Sequence, residues 1–359
     1  MSLKIGIAGT AKNTGKTTTT SAILSDLYKR KLSIALTGIG YDGEEIDNIT
    51  GLPKPRLFIK KKTILATAQK CLKVGSASFD ILETTDIITP LGKICIVKVT
   101  KEGLAVIAGP NKSSHLRYIQ NRMINDLKCD IILVDGALNR IVPMVETDGI
   151  ILATGASRNT NINNLAHETM ALYKLLNLPV VSEKQQEYFS GINKITLVLN
   201  SGNKISLKYS SLIDDFTIRD ILEKINDIKI IFIPALISLS KLKKLNELIC
   251  KMWEGKTLII QDSLRLIAGG SPEIVLNEIE RIRLNKGIVK TLRSVPLLAI
   301  TVNPFYPKYR FDKGNYEPGF IERETLVNTI KHIVDIPVID IKHEGSLKIT
   351  ETILKRLLL

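Results

Sequence analysis

The segment Gly9-Thr10-Ala11-Lys12-Asn13-Thr14-Gly15-Lys16-Thr17-Thr18 stands between the apolar run Lys4-Ile5-Gly6-Ile7-Ala8 and a stretch that carries Ile23, Leu24 and Leu27 on one helical face. A strand that ends in a glycine-bounded loop and resumes as a helix turns several backbone N–H groups toward one point, where an anion is held. Gly9 and Gly15 permit the tight wrap, Lys16 brings an ammonium to the β- and γ-phosphates, and the Thr17 hydroxyl suits Mg²⁺. Five residues between Gly9 and Gly15, with Lys16 and Thr17 directly after the second glycine, in this context predict a nucleoside triphosphate site with residues 9–18 as its cradle.

A second apolar run, Ser33-Ile34-Ala35-Leu36-Thr37, follows at once, and strand, helix, strand in succession predicts a parallel sheet. Cys129-Asp130-Ile131-Ile132-Leu133-Val134-Asp135 is the strongest candidate for a central strand, after a helix over Ser114 to Lys128. Ile150-Ile151-Leu152-Ala153 supplies another, followed by a helix over Asn161 to Leu176. Between about residues 51 and 110 the pattern is β-rich, at Arg56 to Lys60, Phe79 to Glu83, Gly92 to Val99 and Leu104 to Ala108, with a helical pattern over Thr63 to Val74. The expected class is therefore α/β: a P-loop NTPase core with a mainly parallel sheet, a β-rich segment inserted into it or extending it, and a second α/β unit. At 359 residues the chain has room for two or three domains. The polar segment Val181 to Asn193 sets the expected boundary, with a nucleotide-binding domain over 1–185 and a second α/β domain over 186–359.

A triphosphate site also needs a carboxylate at the end of a strand beside the loop. Asp135 fits, because Ile131 to Val134 deliver it to a strand terminus and Gly136 lets the backbone pass close by. Asp42, in Gly38-Ile39-Gly40-Tyr41-Asp42-Gly43-Glu44, follows the second strand and is the other candidate, with Glu44 beside it. Lys16, Asp42 and Asp135 are thus the expected catalytic groups, and Thr17, Asp42 and Asp135 the expected Mg²⁺ ligands. Arg140 is a weaker candidate for phosphate charge. Asn111-Lys112-Ser113-Ser114 begins like a guanine reader, but Ser114 stands where a carboxylate must accept from the base, so the expected nucleotide is ATP. Val302-Asn303-Pro304-Phe305 and the aromatic and basic stretch Tyr306 to Tyr316 form a further candidate surface.

The order of elements resembles the branch that holds dethiobiotin synthetase, cobyrinic acid amidating enzymes and the partition ATPases. Thr10 stands where the partition ATPases carry a second lysine, and Lys12 is the extra lysine here. Ala11 to Thr18, Asp42-Gly43-Glu44, Pro53-Lys54-Pro55-Arg56, Ala66-Thr67-Ala68, Gly109-Pro110, Val134 to Arg140 and Ala153-Thr154-Gly155-Ala156 together resemble the lysine 5,6-aminomutase reactivase subunit family, over roughly the first 160 residues. That resemblance implies ATP-driven release of damaged cobalamin from an aminomutase dependent on adenosylcobalamin and pyridoxal phosphate. It also implies a second reactivase subunit, and a homodimer is compatible with it.

The formal charge of +14 would suit a polyanion, but the lysines are scattered and aromatics make up only 5%, so nucleic acid is expected to be an unlikely partner. Cys71, Cys95, Cys129 and Cys250 form no CxxC pair, and His115, His167, His332 and His343 are unclustered, which argues against a zinc site or a disulfide framework. Met1-Ser2-Leu3-Lys4 leads straight into a strand and no apolar run is long enough for a bilayer, so no membrane partner and a cytoplasmic location are expected. The leading functional expectation is an ATPase that does conformational work on a partner enzyme. A ligase similar to dethiobiotin synthetase, acting on a small carboxylate, and a non-catalytic nucleotide-gated binding module are the alternatives.

Overall fold

The computed structural model describes residues 2–40 and 57–357. The chain forms two compact units, one from residues 1–166 and 297–359 and the other from His167–Pro296.

The first unit opens with β1 (Leu3–Gly9), helix α1 (Lys16–Leu27) and β2 (Ile34–Gly38), the βαβ arrangement expected from the sequence. All five residues of β2 are buried, as are Ile5 and Ile7 of β1, which is the burial of strands in the interior of a parallel sheet. After β3 (Leu57–Ile59) come β4 (Ile64–Ala68), β5 (Ser78–Thr89), β6 (Gly92–Lys101) and β7 (Gly103–Ala105). Helix α2 (Ser113–Asn121) precedes β8 (Ile131–Ala137), and β9 (Gly149–Gly155) precedes helix α3 (Ile162–Leu176).

The expected helix over Thr63 to Val74 is instead β4 followed by a short 3₁₀ turn at Gln69–Lys73. All five residues of β4 are buried, and a short run that is apolar on both faces has no periodicity to separate strand from helix. β4 pairs in parallel with β2, while β6 pairs antiparallel with β4 and β5 with β6, so these three strands extend the main sheet, and β3 and β7 pair antiparallel with each other apart from it.

The second unit has its own sheet of β10 (Thr196–Leu199), β11 (Lys204–Ser206), β12 (Ile228–Ile233), β13 (Thr257–Asp262) and β14 (Ile288–Arg293). β12, β13 and β14 run parallel, and β10 is antiparallel to β12. Phe189 and Phe232, with ring centroids 4.7 Å apart, sit with Ile259 and Leu292 in its core.

β15 (Leu297–Asn303) then returns to the first sheet and pairs in parallel with β9, and β18 (Val338–Ile339) pairs with β15. Between them β16 (Phe305–Arg310) and β17 (Asn315–Phe320) form a separate antiparallel ribbon. The nine-stranded order is β18-β15-β9-β1-β8-β2-β4-β6-β5. The division expected at residue 185 therefore shifts: the second unit ends at Pro296, and residues 297–359 complete the first. Elements close in sequence are neighbours in space only about two-thirds of the time, and the return to β9 is one of the exceptions. Ile349 and Ile353 of the final helix share the core of the first unit with Ile5, Ile23, Leu27 and Leu36. No described helix is long and apolar enough to cross a membrane.

Candidate functional site

The parallel registers bring five strand ends to one edge of the first sheet. Gly9 at the end of β1 stands opposite Ala137 and Ala153, Gly38 opposite Asp135, and Asn303 opposite Gly155. The carboxyl edge of a parallel sheet is where open α/β folds leave a crevice for ligands.

The loop from Gly9 to Lys16 takes two left-handed residues, Asn13 with φ 63° and Gly15 with φ 89°. A Cβ on Gly9 would lie 3.3 Å from both the Lys16 Cβ and the Thr14 Oγ1, so the wrap is close as well as turned. Gly15 precedes α1 without a side-chain cap, which leaves the first N–H groups of the helix for an anion. Struts from neighbouring strands hold the rest. The Thr10 amide donates to the Ala153 carbonyl at 2.9 Å and its hydroxyl to Thr154 at 3.1 Å. The Thr14 hydroxyl donates to the Ala11 carbonyl at 2.9 Å. The Asn13 carbonyl accepts from Asn303 Nδ2 at 2.7 Å and from the Ser157 hydroxyl at 3.4 Å. Thr17 and Thr18 are half-buried and Lys12 is exposed.

Asp135 of β8 meets the loop. Its Oδ2 lies 2.5 Å from Lys16 Nζ, and its Oδ1 accepts from the Thr20 hydroxyl at 3.2 Å. Thr20, whose single hydroxyl proton is shared with the Lys16 carbonyl at 3.1 Å, is fully buried. It was not among the expected site residues. Its spacing of four from Lys16 puts both on one helical face, and that signal was available in the sequence.

Beyond β2 the Ile39 amide donates to the Asp135 carbonyl at 2.8 Å. The Gly109 amide donates to the Gly40 carbonyl at 3.2 Å. A Cβ on Gly40 would come within 2.6 Å of both Arg140 Nη1 and Asn111 Oδ1, so Arg140 and Asn111 meet the chain where it leaves this edge. Asp42 and Glu44 lie outside the described residues. On the other flank a cleft is lined by Thr14, Gly15, Thr18, Thr301, Asn303 and Asp340, among others.

No group of three or more His, Cys, Asp or Glu residues that could hold a metal occurs among the described residues. A hydroxyl from Thr17 and a carboxylate from Asp135 are hard oxygen donors, and Mg²⁺ is commonly bound by one or two carboxylates with phosphates and water completing its shell. Both side chains are of the chemistry that this ion takes.

No protein-family model matches the chain, and no curated protein matches it. Among solved structures, the pNOB8 ParA bound to nonspecific DNA is similar at 15% identity, covering 62% of this chain and 75% of that chain with a TM-score of 0.26. The pNOB8 ParA structure is similar at 14% identity, covering 74% of this chain and 75% of that one with a TM-score of 0.25. The expectation that nucleic acid is an unlikely partner is withdrawn; the first of these structures is of a protein bound to nonspecific DNA. Scattered lysines are no ground for that exclusion either, because sequence-independent binding neutralises phosphates one at a time.

Proposed function

We propose that the chain binds ATP with Mg²⁺ and hydrolyses it to drive conformational work on a partner enzyme. The observation that carries this reading is the convergence of the residue 9–18 loop, Lys16 and Asp135 at the carboxyl edge of adjacent parallel strands. Backbone N–H groups of the loop and the Lys16 ammonium bind the phosphates and stabilise charge that develops between them. Thr17 and Asp135 would hold the ion, and Asp42 would orient the attacking water. When bound, Mg²⁺ would supply positive charge against the phosphates. Arg140 stands beside Gly40, at the entrance to the segment that carries Asp42.

The partner is drawn from the resemblance in residues 1–160: an aminomutase that needs its damaged cobalamin released, with a second reactivase subunit taking part. The test is ATP hydrolysis by the purified chain with and without an aminomutase. Slow basal turnover that rises with the aminomutase is expected. A strict requirement for a small carboxylic acid would replace the reading with a ligase, and stimulation by duplex DNA alone would replace the partner. Lys16→Ala is expected to abolish triphosphate binding by equilibrium titration, and unchanged affinity would remove the basis of the proposal.

A further inference from the structure

The β16–β17 ribbon pairs with no other described strand. Its register sets Phe305 against Phe320, Pro307 against Pro318 and Tyr309 against Tyr316. Side chains alternate along a strand and cross-strand partners share a face, so these six lie together on one side of the ribbon. The phenylalanine rings meet at 5.7 Å between centroids and the tyrosine rings at 5.1 Å, and Phe311 from the turn closes on Tyr309 at 4.9 Å. Phe320 is 65% exposed and Phe311 91%, so the row lies open to solvent. We propose that this face is a docking surface for a short proline-rich segment of another protein, flanked by acidic residues.

The remainder of the ribbon is already satisfied. On the opposite side the Tyr306 ring covers Gly319, where a Cβ would lie 2.7 Å from a ring carbon, and Arg310 is held by Asp312 and Glu317. Pro307 and Pro318 have no N–H, so their pair cannot exchange hydrogen bonds, and the missing donors are ones that would point outward from the two edges. Prolines at those positions blunt both edges against an added strand. Contact is left to the aromatic face. The root of that face is fixed, since the Phe305 amide donates to Asn303 Oδ1 at 3.2 Å and the Phe305 carbonyl accepts from the Ser157 hydroxyl at 3.0 Å. A surface ordered in advance loses little freedom when it is occupied.

Charge, area and hydrogen bonding choose the occupant. Nucleic acid is held chiefly through its phosphates, and the aromatic face carries no cation to meet them. A second copy of the chain would need about 20–30 residues on each side, and the six paired residues with Phe311 fall far short. A proline-rich segment in the polyproline II conformation keeps its backbone in water and asks for no strand partner. Aromatic surfaces receive such segments, with tyrosine hydroxyls as hydrogen-bond donors to their carbonyls. The chain's charge of +14 repels basic flanks and draws acidic ones. This surface stands whether or not the residue 9–18 loop takes a nucleotide.

The experiment is selection of a displayed library of random dodecapeptides on the full chain, followed by titration of the recovered peptides one at a time. Recovered sequences are expected to carry proline runs with acidic residues at their ends. Tyr309→Ala and Phe311→Ser are each expected to weaken their binding about tenfold, as truncation of an aromatic anchor does. Replacing the prolines of a recovered peptide by glycine, or its acidic residues by lysine, is expected to weaken it as well. The inference is overturned if no such sequences are enriched, or if those recovered bind both variants as tightly as the wild type. Two further measurements can overturn it. Binding of single-stranded oligothymidylate that is lost in both variants would give the face to nucleic acid, and a dimer in sedimentation that dissociates on Phe311→Ser would give it to a second copy. Phe311 is almost wholly exposed, so Phe311→Ser keeps the test decisive if Tyr309→Ala does not fold, and thermal unfolding beside the wild type checks both.

Discussion

At the scale of single residues, two glycines separate close approach from backbone handedness. Gly109 has no left-handed backbone, yet a Cβ there would lie 1.7 Å from the Gly38 carbonyl oxygen. Gly191 has φ +73° with nothing within 4 Å of the added atom. Gly109→Ala must push β2 aside, and overpacking of this kind costs about 1–3 kcal/mol or more. Gly191→Ala meets only the left-handed penalty, roughly 1 kcal/mol. The two are distinguished by nucleotide titration as well as by unfolding: Gly109→Ala moves the end of the strand whose next residue, Ile39, donates to Asp135, so it is expected to weaken binding. Gly191→Ala is expected to leave affinity unchanged. The sequence made the loop residues and Asp135 legible because each has a fixed place relative to its own strand or helix. The contact of Asn303 with Asn13 was not legible, since it joins residues 290 apart and no local pattern encodes it.

Elements were legible where one face or one terminus carried a signal. Ile131–Ala137 reads as a strand because four apolar residues end in Asp135 and Gly136. Ile64–Ala68 does not, because it is buried on both faces. Helix starts vary in the same way, and the one at Arg323–Lys331 uses an uncommon cap. Glu322 accepts from the backbone amides of Glu324 and Thr325, which a search for Ser, Thr, Asp or Asn would miss. Hydrogen bonds from Thr325, then from Glu324, hold its carboxyl down at about 2 against an ordinary 4.5. A depressed acid binds its proton less readily in the folded chain, so its contribution is present above pH 4.5 and is lost as pH falls through about 2. Glu322→Gln is expected to flatten the fall of the thermal midpoint in that window relative to wild type. Parallel acid-dependent slopes for the two proteins would show that the cap does not contribute.

For the whole molecule, the consequence of the returning segment is that every described residue assigned to the nucleotide site lies in one unit. The loop, Asp135, Thr154, Ser157 and Asn303 all fall within residues 1–166 and 297–359. The other unit closes on itself: the Thr291 amide donates to the Pro179 carbonyl at 2.8 Å and the Val181 amide to the Thr291 carbonyl at 3.0 Å, so its entry and its last strand lie side by side. Its core, with Phe189, Phe232, Ile259 and Leu292, is its own. Two cores predict two heat-absorption transitions in calorimetry, since separate domains depart from a single two-state unfolding. A ligand that binds one folded unit stabilises that unit alone, by about 2.7 kcal/mol at a hundred times its dissociation constant. The Mg²⁺ complex of a non-hydrolysable ATP analogue is therefore expected to raise one transition and leave the other in place. A chain ending at residue 296 loses β15, β18 and the Asn303 strut, and β9 is left without a partner on that side. The nucleotide-responsive transition should vanish from that chain while the second persists. If the analogue raises both transitions together, the two cores unfold as one and the placement of the site in a single cooperative unit is wrong.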